Sequence, residues 1–131
     1  MLNKCFLLGR MTKDPEIRRT NGGTAVTSFT LAVDRDFKTN GEKETDFIEV
    51  VAWRNTAEFV SKYLSKGRMA IVEGRLQIRE WTDKSGNKRR TAEVVADNVY
   101  FGDSKKENKE APEYKQADFA EISEEDGELP F

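Results

Sequence analysis

Between Thr24 and Val33 the odd positions Ala25, Thr27, Phe29, Leu31 and Val33 alternate with Val26, Ser28, Thr30 and Ala32. That period of two predicts a strand with unlike faces. An earlier apolar run, Leu2 to Leu8, predicts a first strand, broken by Gly9-Arg10 and then by Lys13-Asp14-Pro15; Asn21-Gly22-Gly23 is a strong turn signal before the second strand. Asp34 to Asp46 reads as a long polar loop with Phe37 in its middle, and Phe47 to Trp53 as a third strand. One helix follows, with Asn55 as N-cap, Glu58 three residues on, Ala57, Val60 and Leu64 on one stripe, and Gly67 as its stop. Met69 to Trp81 is a fourth strand, Thr82 to Arg89 a hairpin turn around Ser85-Gly86-Asn87, and Arg90 to Phe101 a fifth strand. Three strands, a helix and two strands is the order of an all-β, five-stranded OB-fold barrel with one helix between strands 3 and 4. A small mixed sheet fits the same order.

The strand faces carry the candidate chemistry. In the third strand Phe47, Glu49, Val51 and Trp53 share one side, while Ile48, Val50 and Ala52 form an apolar side suited to a core. In the fourth, Trp81 shares parity with Arg75, Gln77 and Arg79, whereas Val72, Leu76 and Ile78 point the opposite way, as core residues would. Phe37 sits in its loop with Arg35 and Lys38, and the arm after Trp81 carries Lys84, Lys88, Arg89 and Arg90 against one acid, Asp83. A single Phe or Trp, taken alone, is more often a core or interface residue. Rings interleaved with cations are what unpaired bases need, since each base has a face to stack and each phosphate a charge to meet.

Charge divides the chain. Residues 1–103 hold 18 Lys+Arg against 15 Asp+Glu, a net of +3, while residues 104–131 hold 4 against 9, a net of −5. The overall −2 therefore averages two unlike regions and does not exclude a nucleic-acid binder. Three segments are expected: a domain over 1–103, a Lys/Glu-mixed flexible linker over 104–121, and an acidic tail over 122–131. In that tail Glu124, Glu125, Asp126 and Glu128 precede Leu129, Pro130 and Phe131. An aromatic ring, a terminal carboxylate and clustered acids make a recognition peptide for partner proteins.

Composition also removes classes. With no histidine, His-based triads and imidazole metal sites are excluded, and the single Cys5 builds neither a thiolate zinc site nor an intrachain disulfide. Cys5 reads as a small buried hydrophobe. No metal or cofactor is expected. Without a signal-like stretch or a run of about 20 apolar residues, the chain is expected to be cytoplasmic and off the membrane.

These residues together closely resemble the bacterial single-stranded DNA-binding protein family. The likeness rests on Asn3 to Gly9, Asp14-Pro15-Glu16, Asn21-Gly22-Gly23, Phe29 to Val33, Tyr63 to Gly67, Val72 to Leu76, Trp81 to Arg89, and the acidic end with Leu129-Pro130-Phe131. The resemblance implies a non-enzymatic protein that coats single-stranded DNA in replication, recombination and repair, is nucleoid-associated, forms a homotetramer and recruits replication and repair proteins through its tail. It also implies that Phe37, Phe47, Trp53 and Trp81 are the stacking residues, with Phe at 37 and 47 where Trp is common in the family. Arg10, Arg35, Arg54, Arg75, Arg79, Lys84, Lys88 and Arg89 are the candidates for phosphate contact. Two other classes compete: an RNA-binding OB-fold module, and a carboxylate metal nuclease, which the scattering of acids over the elements argues against.

Overall fold

The alternation after Thr24 becomes a strand whose Ala25, Thr27, Phe29 and Leu31 are buried and whose Ser28 is exposed. The computed structural model describes residues 1–104, with six strands, β1 (Cys5–Met11), β2 (Glu16–Arg19), β3 (Ala25–Asp34), β4 (Thr45–Trp53), β5 (Met69–Thr82) and β6 (Lys88–Phe101). One helix, α1 (Arg54–Tyr63), lies between β4 and β5. The strands form one sheet in the order β1-β5-β6-β4-β3-β2, and β1 also pairs with β3 at Arg10 and Met11. The hydrogen-bonded path from β1 through β5, β6, β4 and β3 thus returns to β1, with β2 on the outside of β3.

Inward side chains fill the space this path encloses. Met11, Phe29, Leu31, Val50, Ala52, Ala70, Val72, Val94, Ala96 and Val99 meet Ala57 and Val60 of α1 in one cluster. Buried Thr27 is satisfied by donating to the Glu16 carbonyl at 2.7 Å. No helix among the described residues is long and apolar enough to cross a membrane.

Several sequence expectations need correction. Gly9 and Arg10 do not break β1, which runs through them to Met11. A Cβ on Gly9 would stand 2.9 Å from the Ala32 carbonyl oxygen and from Val33 Cγ2, so glycine here admits β3 rather than a bend. Glu16–Arg19, unassigned from sequence, forms β2, which makes six strands and puts four before the helix. All four of its residues are exposed, so no buried face left a period to read.

The helix also starts and ends elsewhere. Its N-cap is Trp53, with no side-chain cap, so Asn55 lies inside the first turn. The chain passes from β4 into α1 without a loop, and Arg54 takes a left-handed φ of 54° to make the reversal. The helix ends at Tyr63 because Leu64 is extended; Gly67, at φ 90°, turns the chain toward β5 and donates to the Met11 carbonyl at 2.9 Å. The polar loop is itself a hairpin extension. Thr39 and Glu42 exchange both backbone hydrogen bonds at 2.9 Å across Asn40 (φ 54°) and Gly41 (φ 80°), a tight turn with both central residues left-handed.

Candidate nucleic-acid interface

Cross-strand partners share a face, so the register locates each candidate. Val51 of β4 lies opposite Val95 of β6, and Val95 opposite Arg75 of β5. From that row the same face runs along β4 to Phe47 and Trp53, and out along the β5–β6 arm to Gln77 and Glu93, Arg79 and Thr91, Trp81 and Arg89. On the other side Phe47 pairs with Ala32, and Ala32 with Arg10. Phe47, Trp53, Trp81, Arg10, Arg75, Arg79 and Arg89 therefore stand on one continuous surface.

The rings are open to solvent. Phe37 is 85%, Phe47 68%, and Trp53 and Trp81 each 42% exposed. Phe47 and Trp53 project the same way about 20 Å apart, six residues along one strand. The Trp81 indole is oriented by its Nε1–H, which donates to Thr91 Oγ1 at 2.8 Å. Phe37 is presented by the Asp34–Asp46 extension, whose base is held by Arg35. That guanidinium reaches Glu44 at 2.6 Å through Nη1 and Asp46 at 2.9 Å through Nη2. The hydrogen bond to Asp46 raises Arg35 and depresses Asp46 in turn. Arg35 is thus engaged by two carboxylates. Glu49, between the rings, accepts from Thr30 Oγ1 at 2.7 Å.

The other cations divide by side. Arg10 donates through Nη1 to the Gly67 carbonyl at 2.7 Å, and Arg75 through Nη1 to Gln77 Oε1 at 3.2 Å. Arg79 Nε meets Glu93 Oε1 at 3.2 Å and Arg89 Nε meets Asp83 Oδ2 at 2.9 Å, which leaves their outer nitrogens toward solvent. Arg54 and Lys84 carry no ion pair among the described residues, and Lys84 is at the arm tip. Lys88 pairs with Thr82, so it faces the opposite side of the arm from Trp81 and Arg89. That side also holds Leu76 and Ile78, which are 44% and 54% exposed rather than core. Beyond Gly74 no residue of β5 is buried on either face, although Val94 and Val95 opposite it on β6 still are, so parity along β5 no longer separates core from solvent. Glu124, Glu125, Asp126, Glu128, Leu129, Pro130 and Phe131, with the linker from 105 onward, lie outside the described residues.

One device organises the arm tip, and sequence reading missed it. Asp83 Oδ1 accepts from the Asn87 and Ser85 amides at 2.8 and 3.0 Å, while Oδ2 takes Arg89. The Asn87 amide first, then Arg89, holds the Asp83 carboxyl below its ordinary range. A carboxyl depressed in the folded state stabilises the fold above its unfolded pKa, and that contribution is lost as pH falls through the native value. The expected result is an arm tip whose Ser85 and Asn87 amides lose exchange protection on acidification below the ordinary Asp range. Asp83→Asn will flatten that dependence, and amide exchange followed by NMR across pH checks both.

Residues 2–102 match the family described as the single-strand binding protein family. The chain is 50% identical over 109 residues to a single-stranded DNA-binding protein of Staphylococcus aureus (strain MRSA252), covering 82% of this chain and 70% of the relative. It is 52% identical over 101 residues to single-stranded DNA-binding protein 3 of Clostridium acetobutylicum, covering 76% and 70%. With single-stranded DNA-binding protein 2 of Listeria monocytogenes it shares 50% over 111 residues, 84% of this chain and 69% of the relative. A match over nearly all of the described residues, joined to relatives at half identity, settles the family: the chain belongs to the single-strand binding protein family.

Proposed function

We propose that this chain is a non-enzymatic protein that binds and protects single-stranded DNA with little regard to sequence. One observation carries the reading: Phe47, Trp53 and Trp81 stand exposed on a continuous sheet face that also presents Arg75, Arg79 and Arg89. Duplex DNA hides its base faces, so a wall of open rings selects unpaired strands, and guanidinium groups beside the rings meet the phosphates. Phe37 on its extension is the fourth stacking ring, and Arg10, Arg54, Lys84 and, on the far side of the arm, Lys88 are the peripheral phosphate contacts. Arg35 serves the site by bracing that extension through Glu44 and Asp46.

The scaffold, in this reading, is a five-stranded OB barrel closed where β1 meets β3, within a binding domain over 1–103. A linker over 104–121 leads to a tail over 122–131 that recruits replication, recombination and repair proteins in the cytoplasm. A homotetramer is supported by two features. β1 pairs with β5 from Cys5 to Arg10, yet its other edge has no backbone partner over Cys5–Leu8 among the described residues. Leu8, Ile71 and Tyr100 lie in one cross-strand row of exposed apolar side chains, with exposed Phe6 two residues from Leu8 along β1.

The test is native mass with and without oligo(dT), alongside competition between poly(dT) and poly(rU). A tetramer that takes up oligo(dT) and prefers it to poly(rU) is expected. Preference for poly(rU) favours the RNA-binding module instead, because the 2′-hydroxyl is the only systematic difference in the backbone.

A further inference from the structure

Glu93 is the one buried acid among the described residues, 7% exposed, and it sits in the middle of the face proposed to carry DNA. A carboxylate there opposes phosphate, so its presence on a binding wall needs a reason. Its hydrogen bonds supply one. Oε1 accepts from Arg79 Nε at 3.2 Å, and Oε2 from Gln77 Nε2 at 3.4 Å. Gln77 Oε1 in turn accepts from Arg75 Nη1 at 3.2 Å. Both oxygens are thus directed at β5 side chains on the solvent face, and the two arginines of that strand are joined through one anchor.

We infer that Glu93 is a positioning residue: it holds Arg79 directly, and Arg75 through Gln77, in the orientation that meets the phosphates of a bound strand. The inference rests on the single-stranded DNA reading. A guanidinium held by Nε at its base leaves Nη1 and Nη2 free as an outward fork, the part that pairs with a phosphate. Without the anchor, Arg79 regains rotamer freedom and must lose it again on each binding event. Thr91, which fixes the Trp81 indole from the same side of β6, is the neutral counterpart of the same arrangement.

Orientation and simple electrostatics give opposite signs. Glu93→Gln removes a negative charge from beside the DNA path, so charge alone predicts tighter binding. Positioning predicts weaker binding. By anisotropy of labelled oligo(dT) over a sodium chloride series, Glu93→Gln is expected to lose affinity by about three- to thirtyfold, the size of coupling between contacting side chains. Its log K against log salt slope is expected to shrink by about 0.7, one phosphate contact on a single strand. Arg79→Ala will weaken the parent protein but add little in the Glu93→Gln background. Glu93→Asp, which keeps the charge and retracts the acceptor by one methylene, is expected to lose affinity as well, and it carries the test should Glu93→Gln fail to fold. Affinity equal to or above the parent in Glu93→Gln or, where that variant does not fold, in Glu93→Asp, or additive losses with Arg79→Ala, overturns the inference. A parent protein that does not bind oligo(dT) overturns the DNA reading itself, which is a different result.

Discussion

Alanine in place of Trp53 or of Trp81 is expected to weaken oligo(dT) binding by about 1 to 3 kcal/mol each, the measured range for a base stacked on an aromatic ring. Both rings are large, both are 42% exposed, and neither belongs to the central core cluster. The cost of truncation therefore falls on binding more than on folding. Trp53 closes β4 at the point where Arg54 reverses the chain, so the neighbouring backbone fixes its place. Trp81 is set by Thr91 instead. The two rings rest on different strands with separate partners, so the losses in the double variant add if each stacks a different base. Phe37 and Phe47, smaller and more exposed, will lose less. Titrations must be made at one salt concentration, because the phosphate contribution varies steeply with it. Unchanged affinity in both single variants, with unaltered thermal midpoints, removes stacking as the basis of recognition.

What the sequence allowed and withheld follows from where burial makes a pattern. The parity of Phe47 to Trp53 was legible because one face of β4 is core, at Val50 and Ala52, and the other is not. The same reasoning misplaced Leu76 and Ile78. Parity is a statement about a strand with one wet side, and β5 beyond Gly74 has no buried residue on either. β2 was invisible for the opposite reason, since it is held by backbone pairing with β3 from Glu16 to Arg19 and buries nothing. Asn40-Gly41 is a hairpin-turn dipeptide, but the polar residues on both sides leave no alternation to show the paired backbone beside it. The anchoring of Arg79 by Glu93 had no local signal at all, because the two lie on different strands and meet only through register. Arg54 shows a further limit: a left-handed arginine at a helix start obeys a geometric demand of the strand before it rather than a preference of its own.

Gly74→Ala is expected to be the most destabilising small substitution in the sheet, costing about 2 to 4 kcal/mol. A Cβ at this position would lie 2.2 Å from the Val95 carbonyl oxygen, 2.9 Å from its carbonyl carbon and 3.0 Å from Ala96 Cα. All three are backbone atoms, so no rotamer relieves the overlap and β6 itself must move. The position is where the register slips: Glu73 faces Asn98 while Gly74 faces Ala96, leaving Asp97 without a partner on β5. Such an extra residue bends a strand and increases its twist. Here the bend lies between the part of β5 that lines the core, at Ala70 and Val72, and the part that carries Arg75, Arg79 and Trp81 outward. Displacing β6 at Val95 therefore disturbs the core through Val94 and Ala96 and re-aims the arm in the same step. Urea denaturation at fixed protein concentration will report a lowered midpoint, and oligo(dT) affinity measured where the variant is still folded will fall as well. Gly9→Ala is the milder comparison, since its nearest approaches, to the Ala32 carbonyl oxygen and Val33 Cγ2, are 2.9 Å against 2.2 Å at Gly74. A Gly74→Ala midpoint at or above that of Gly9→Ala would mean that β6 yields freely at this point, and the register slip would then not be what aims the arm.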